Sequence, residues 1–307
     1  MLSLGAIATG SMLLLLGGHV LVSACIQLAY RMGISPAIAS ATLVAIGTSF
    51  PEIGVCLLSP AANIDVAVGN VVGSNIQNIA VVLGCSCLIY RVRLRAPHAL
   101  QRWSFTLLAS AVAYVLLHWP MLQPIGGAVL LFGFCCVLIH TLRSAKTSHT
   151  PETPQKITWS LPKSIAGLIT GLISLVAGGK IVVIGAVEIA SHLGIPQQIV
   201  GLSIVAFGTS LPELAFSLAA LRQNHHDVAL GNILGSNLYN ILLGLGVVLW
   251  PAKVSHLSPI DPVSWALLFG YTLILYPAIR IHGHLSRWFG LLLVIPYAIY
   301  TLLLWQQ

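Results

Sequence analysis

GTSFPE at Gly47 to Glu52 and GNVVGSNIQN at Gly69 to Asn78 recur, in the same order, as GTSLPE at Gly208 to Glu213 and GNILGSNLYN at Gly231 to Asn240. Each copy sets a carboxylate, hydroxyls and amides inside runs apolar enough to cross a membrane. Polar groups are expensive in hydrocarbon and are kept there for function, so two matched sets mark a candidate site.

Working outward, the repeat extends well past these motifs. Gly17-Gly18-His19 matches Gly178-Gly179-Lys180, and the offset stays at 161 residues as far as Glu52 and Glu213. It becomes 162 by Asp65 and Asp227, and Val66–Gly84 shares 11 of 19 residues with Val228–Gly246. The chain is an internal duplication, residues 1–143 and 164–307. The joining stretch, 144–163, is the most polar of the sequence. It reads as a short mobile loop, too short for a regulatory domain.

Of the 307 residues, 57% are hydrophobic and 7% charged, against roughly 25% charged in a soluble domain. Long Leu/Val/Ile/Ala runs without strict alternation predict helices rather than a barrel. Ten spans are expected, near 2–30, 36–59, 66–90, 103–118, 125–142, 164–191, 197–221, 228–250, 262–279 and 288–305. The first lacks a basic leader region and a cleavage site, so it reads as a retained helix. The net charge of +7 is a matter of topology and not of nucleic-acid binding. With the N-terminus outside, 12 of the 14 basic residues fall in cytoplasmic loops, leaving Lys180 in a span and Lys253 outside. The positive-inside rule then places both termini outside. The six cysteines all lie in spans and form no pair of CxxC motifs, which suits packing rather than zinc.

Five spans per half is an odd number, so the second half enters the membrane from the opposite side. The expected fold is an all-α polytopic membrane protein of ten transmembrane helices in two inverted five-helix repeats. That architecture belongs to secondary transporters, with the binding site near the midplane.

Only seven acidic residues exist, and Glu52 and Glu213 alone fall near span centres. Burying each costs at least ~2.5–3.5 kcal/mol on an insertion scale. Lys180, the one basic residue in a span, cannot neutralise both, whereas a bound cation can. Pro51 and Pro212 each remove a helical N–H and clash one turn back, at Gly47 and Gly208. A helix opened in this way presents carbonyl oxygens, tolerated at depth where they line a cavity. Thr48, Ser49, Thr209 and Ser210 add hydroxyls, and the partner motifs add Ser74, Asn78, Ser236 and Asn240. Asn75 and Asn237 read first as interhelical amides. Gly69, Gly73, Gly231 and Gly235 are small-xxx-small pairs expected to bring helices close. Two carboxylates among neutral oxygens suit a hard cation such as Ca²⁺, which takes 6–8 oxygen ligands, or Na⁺ of similar size. Transition metals would recruit the histidines or cysteines.

The doubled GTSxPE and GNxxGSN pair resembles the cation/calcium antiporter superfamily, and within it the prokaryotic sodium/calcium exchangers, over nearly the whole chain. The resemblance implies a central bundle of the second, third, seventh and eighth helices. It implies Glu52 and Glu213 as shared Ca²⁺ and Na⁺ ligands, with Thr48 and Thr209 in the calcium shell. Ser49, Ser74, Ser210, Ser236 and the carbonyls of Ala45 and Ala206 would serve flanking sodium sites, and Asn78 and Asn240 the middle. Three departures stand out. Asn240 occupies a position where some members carry aspartate, which argues against K⁺ co-transport and caps the site at two negative charges. Cys56 stands opposite Ser217, and the turn after Glu52 is one residue shorter than its counterpart.

The expected function is Na⁺/Ca²⁺ exchange across the cytoplasmic, in bacteria the inner, membrane. The same two glutamates would also serve H⁺/Ca²⁺ exchange, the second reading. No cofactor and no obligatory protein partner is called for; the transported ions and the bilayer are the interactants. An enzyme is not indicated, since GxSxG, HExxH and P-loop patterns are absent.

Overall fold

The computed structural model describes residues 2–58, 64–94, 99–147, 157–194, 206–250 and 261–304. It is helical apart from one two-stranded ribbon. Helix α1 (Leu2–Met32) is followed by a broken segment: α2 (Pro36–Ala39), a π-helical turn (Ser40–Val44), α3 (Ala45–Thr48) and α4 (Phe50–Leu58). Next come α5 (Ile64–Gln77), a π-turn (Asn78–Leu83) and α6 (Gly84–Ile89), then strand β1 (Val92–Arg93), α7 (Ala99–His118) and α8 (Gln123–Thr147).

The second half opens with α9 (Leu161–His192) and continues with α10 (Ala206–Thr209), α11 (Leu211–Arg222) and α12 (His226–Tyr239). A π-turn (Asn240–Leu245) leads into α13 (Gly246–Leu249), and α14 (Pro262–Pro277) into a further π-turn (Ala278–His282). Strand β2 (His284–Leu285) and α15 (Arg287–Leu304) complete the described chain.

Among the described residues seven helices are long and apolar enough to cross a membrane, and the bent pair Pro36–Leu58 makes eight. Of the other two expected spans, the one near 197–221 lies partly outside the described residues, and the last is the shorter apolar helix Arg287–Leu303.

Local chemistry sets the helix ends. Ser35 and Ser160 cap α2 and α9, each ahead of a first-turn proline that has no N–H to lose. Gly33 and Gly194, 161 residues apart, sit at φ +67° and +73° just past the two long helices α1 and α9, a conformation that glycine adopts without strain.

Those two helices pack against each other along glycines. A Cβ on Gly10 would stand 2.7 Å from the Gly178 carbonyl oxygen, and one on Gly178 would stand 2.8 Å from that of Gly10. Gly17 meets Gly171 and Ser174, and Gly185 meets Ser3. Residue numbers that rise on one helix fall on the other, so α1 and α9 run antiparallel. Helices this close gain van der Waals contact that larger residues would forbid.

The most buried spans are Ile64–Ile89 and His226–Leu249, which carry the GNxxGSN motifs. Gly231 and Gly235 let α12 approach the broken helix, with their missing Cβ atoms 2.7 and 2.6 Å from the carbonyl oxygens of Ala37 and Ala41. That half of the small-residue expectation holds. At Gly69 and Gly73 no described atom lies within 4 Å of a Cβ, and the segment that the repeat would set opposite them, 195–205, lies outside the described residues.

The joining stretch is less free than its composition implies. Helix α8 runs on to Thr147. The Thr158 and Trp159 N–H groups donate to Gln27 Oε1 at 2.9 and 3.2 Å, and the Arg31 guanidinium donates to the Trp159 carbonyl. Residues 157–160 are thus tied to the end of α1. The centre of the stretch, 148–156, lies outside the described residues.

Candidate functional site

Both broken helices break at a serine. Ser49 sits at φ −79°, ψ 7° between α3 and α4, and Ser210 at φ −86°, ψ 0° between α10 and α11. The first break bends its helix by 43°. Pro51 and Pro212 lie two residues beyond, each near the start of the helix that follows. The helix is therefore redirected at the serine, two residues after the glycine where the lost N–H leaves a carbonyl. Glu52 and Glu213 fall in the first turn past the break, where the local dipole favours negative charge.

The two carboxylates come together. Glu52 and Glu213 are 1% and 0% exposed, and the charge of Glu213 acts on Glu52. The surrounding hydroxyls cross between the halves. Ser49 Oγ donates to Glu213 Oε1 at 3.2 Å, and Thr48 and Ser236 also bear on Glu213. The Thr209 side chain bears on Glu52. Thr48 Oγ1 lies 3.3 Å from Asn232 Oδ1 and 3.5 Å from Ser236 Oγ, while Ser236 Oγ donates to the Ala45 carbonyl at 3.4 Å. Asn240 Nδ2 donates to Ser74 Oγ at 3.2 Å.

Asn75 and Asn237 form a reciprocal clasp. Each Nδ2 donates to the other residue's backbone carbonyl at 3.1 Å. This is the interhelical amide role expected of them, and it ties the two motif helices directly to each other.

Eleven of the twelve candidate residues have their surroundings described. Among them Ala45, Thr48, Ser49, Glu52, Ser74, Asn78, Ser210, Glu213, Ser236 and Asn240 are buried, and Thr209 is half-buried. The twelfth, Ala206, begins α10, and its surroundings lie outside the described residues. The Ala45 carbonyl already accepts from the Ser49 N–H at 3.2 Å as well as from Ser236.

What distinguishes the cluster is its unmatched acceptors. Both oxygens of Glu52, Oε2 of Glu213 and the Oδ1 atoms of Asn75, Asn78, Asn237 and Asn240 are buried without a hydrogen-bond partner, seven acceptors against two unpaired donors, the Nδ2 atoms of Asn78 and Asn232. A buried polar atom left unpaired costs about 1–3 kcal/mol, and more if charged. Among the described residues neither glutamate has an ion-pair partner, the Glu188–His192 pair lying at 4.0 Å on α9, so no described protein cation answers these carboxylates. No described group of three or more His, Cys, Asp or Glu side chains could hold a metal. The site is two carboxylates among neutral oxygens, a set for a hard cation.

Three further residues shape this site. Asn70 and Asn232, the asparagines of GNVVGSN and GNILGSN, serve the broken helices: Asn70 Nδ2 donates to the Glu52 carbonyl at 3.3 Å, and Asn232 meets Thr48. Their place inside the quoted motif was the available signal. The third is Gln77. Ser210 is the counterpart of Ser49, yet its hydroxyl donates to Gln77 Oε1 at 3.0 Å, while Gln77 Nε2 donates to the Tyr297 hydroxyl of α15 at 2.9 Å. The repeat sets Tyr239 opposite Gln77, so the hydroxyl at the second break is restrained in a way that the first is not. The visible signal was a lone polar residue at a position where the copies differ, GSNIQN against GSNLYN. Gln77→Leu is expected to shift apparent cation affinity about 2- to 10-fold, the worth of one hydrogen bond, with the fold retained. Tyr297→Phe should shift it less. Thermal melting of the purified protein, titrated with a hard cation, reads both.

Broken helices, two unanswered carboxylates and a lining of neutral oxygens define an integral membrane carrier of cations. The chain belongs to the sodium/calcium exchanger protein family, whose pattern it matches over residues 2–143 and 163–306. It is 27% identical to the sodium/calcium exchanger MaX1 of Methanosarcina acetivorans, over 96% of each chain. It is 32% identical to the inner membrane protein YrbG of Escherichia coli, over 87% of this chain and 84% of that one. A solved structure of the sodium-calcium exchanger NCX_Mj, soaked with zero Na⁺ and Ca²⁺, matches with a TM-score of 0.80 and 33% identity over 97% of each chain. Membership makes this protein a cation/Ca²⁺ antiporter and not an enzyme.

Proposed function

We propose that the protein exchanges Na⁺ for Ca²⁺ across the cytoplasmic membrane, exporting Ca²⁺ on the inward Na⁺ gradient and without K⁺. The observation that carries this reading is the set of seven buried acceptor oxygens without donors, three of them on Glu52 and Glu213. A single Ca²⁺ matches the charge of two carboxylates and takes 6–8 oxygens; two Na⁺ match the same charge. Thr48 and Thr209 belong to the calcium shell, Asn78 and Asn240 to its middle. Ser49, Ser74, Ser210, Ser236 and the carbonyls of Ala45 and Ala206 belong to the flanking sodium positions. With no carboxylate at Asn240 there is no third charge to favour K⁺.

Alternation follows from an inverted duplication. Antiparallel packing of α1 on α9, which the repeat makes equivalent, supports opposite insertion of the halves, and so does the reciprocal Asn75–Asn237 clasp. With both termini outside, the arginine-rich loops are cytoplasmic. YrbG, named as an inner membrane protein, supports the location.

⁴⁵Ca²⁺ uptake into vesicles loaded with Na⁺, K⁺ or choline tests the reading. Uptake is expected with internal Na⁺ alone. Equal uptake without internal Na⁺, driven by a pH gradient, would replace it with H⁺/Ca²⁺ exchange.

A further inference from the structure

Where α6 ends, the chain turns into β1, which pairs antiparallel with β2 in the register Val92 with Leu285 and Arg93 with His284. Strand alternation sends Val92 and Leu285 inward, 1% and 2% exposed, and leaves Arg93 and His284 side by side on the open face. The ribbon is clamped in place. The Arg93 N–H donates to His226 Nδ1 at 3.3 Å, and the Leu94 N–H donates to the Gly283 carbonyl at 3.0 Å. Around this clamp lies a cavity of about 700 Å³ whose wall includes Tyr90, Arg91, Arg93, Arg222, His226 and His284. Asp227 is the carboxylate whose charge reaches it, acting on His226 together with Arg93. Three arginines against one aspartate leave the cavity cationic.

A second crevice, of about 190 Å³, adjoins the first and shares Tyr90 and Arg222 with it. The rest of its wall is mainly apolar, from Leu15 of α1, Ile89 of α6 and Ala215, Leu218 and Ala219 of α11. The ion site uses none of these residues. A cationic chamber beside an apolar slot between transmembrane helices, the two sharing Tyr90 and Arg222, has the amphipathic form of a phospholipid.

We propose that this chamber binds one anionic phospholipid, with its phosphate on Arg91, Arg93 and Arg222 and the first carbons of one acyl chain in the crevice between α1 and α11. Arginine suits the role because its planar fork pairs with two phosphate oxygens at once. Basic pockets between membrane helices collect anionic headgroups, each nearby Arg adding to the attraction. A soluble phosphate would use the same arginines and leave the crevice empty, so the crevice selects the lipid. The assignment does not depend on which ions the protein carries.

Native mass spectrometry of the full-length protein in detergent, titrated with phosphatidylglycerol, phosphatidylcholine or glycerol 3-phosphate, tests this. Phosphatidylglycerol adducts should form at concentrations where the other two do not. Arg91→Gln/Arg93→Gln/Arg222→Gln should weaken them on the order of 100-fold. Arg31→Gln/Arg143→Gln/Lys163→Gln, which removes the same charge elsewhere, should leave them unchanged. Leu218→Trp, filling the crevice, should weaken phosphatidylglycerol binding at least ~10-fold with the arginines intact. If the triple variant does not run as a monodisperse peak, Arg93→Gln alone, expected about 5-fold weaker, carries the test. Equal phosphatidylglycerol binding by wild type and the arginine variant overturns the proposal. Glycerol 3-phosphate binding as tight as the lipid's overturns it in favour of a soluble phosphate site.

Discussion

Vesicles carrying Glu213→Gln are expected to take up no Na⁺-dependent Ca²⁺, and those carrying Glu52→Gln the same. At an effective dielectric of 20, two unit charges 4 Å apart attract by about 4 kcal/mol, and a divalent ion doubles that. Losing one of two carboxylates should therefore weaken Ca²⁺ by more than ~1000-fold. The variants also separate charge from folding. Each removes a buried charge that no protein cation answers, so each should melt at or above the wild-type temperature in ion-free detergent. Wild-type melting should rise with added Ca²⁺, as it does for any ligand that binds only the folded state, and the variants should show no such rise. The two differ in one respect. Glu213 has the Ser49, Thr48 and Ser236 hydroxyls around it, with Ser49 Oγ at 3.2 Å, while Thr209 is the one hydroxyl that bears on Glu52, so Glu52→Gln should disturb the ion-free structure less. A variant that still loads Ca²⁺ and still responds to it on heating would remove that glutamate from the site.

The carboxylates, hydroxyls and amides of this site were legible in the sequence because hydrocarbon penalises them wherever they stand. Glu52 and Glu213 stood out in runs with no basic partner, and the structure brings them together. The π-turns at Ser40–Val44, Asn78–Leu83 and Asn240–Leu245 were not legible. One extra residue in a helical turn leaves no mark on apolar composition, and such turns cluster at functional sites. Two of them begin at Asn78 and Asn240 themselves, so the helix changes pitch at two of the candidate site residues. Gln77 was hidden for another reason. Its role depends on Tyr297, 220 residues away, and no local pattern signals a partner at that distance. The ribbon of Val92–Arg93 with His284–Leu285 was hidden likewise, since two-residue strands are fixed by their pairing and not by their sequence.

Asn240→Asp is expected to raise apparent Na⁺ affinity at least ~3-fold and to slow Ca²⁺ turnover. In the wild type Asn240 Nδ2 donates to Ser74 Oγ at 3.2 Å while Oδ1 has no partner. Aspartate keeps the shape and loses that donor. The Ser74 hydroxyl, which now donates to the Val71 carbonyl at 3.1 Å, can turn to donate to the new carboxylate, so the local cost is about one hydrogen bond. The charge change is larger. Two carboxylates balance one Ca²⁺ or two Na⁺, and a third Na⁺ would leave the wild-type site at +1. With three carboxylates three Na⁺ reach neutrality, while one Ca²⁺ leaves −1 and is released more slowly from the residual field. The Na⁺ dependence of uptake should therefore steepen as its midpoint falls, and the Ca²⁺-limited rate should drop. The same added charge should let K⁺ compete, which uptake with mixed Na⁺ and K⁺ inside the vesicles would read. If midpoint, steepness and K⁺ response all stay at wild-type values, the charge at position 240 does not set the ion count, and that count lies with the hydroxyls of Ser49, Ser74, Ser210 and Ser236.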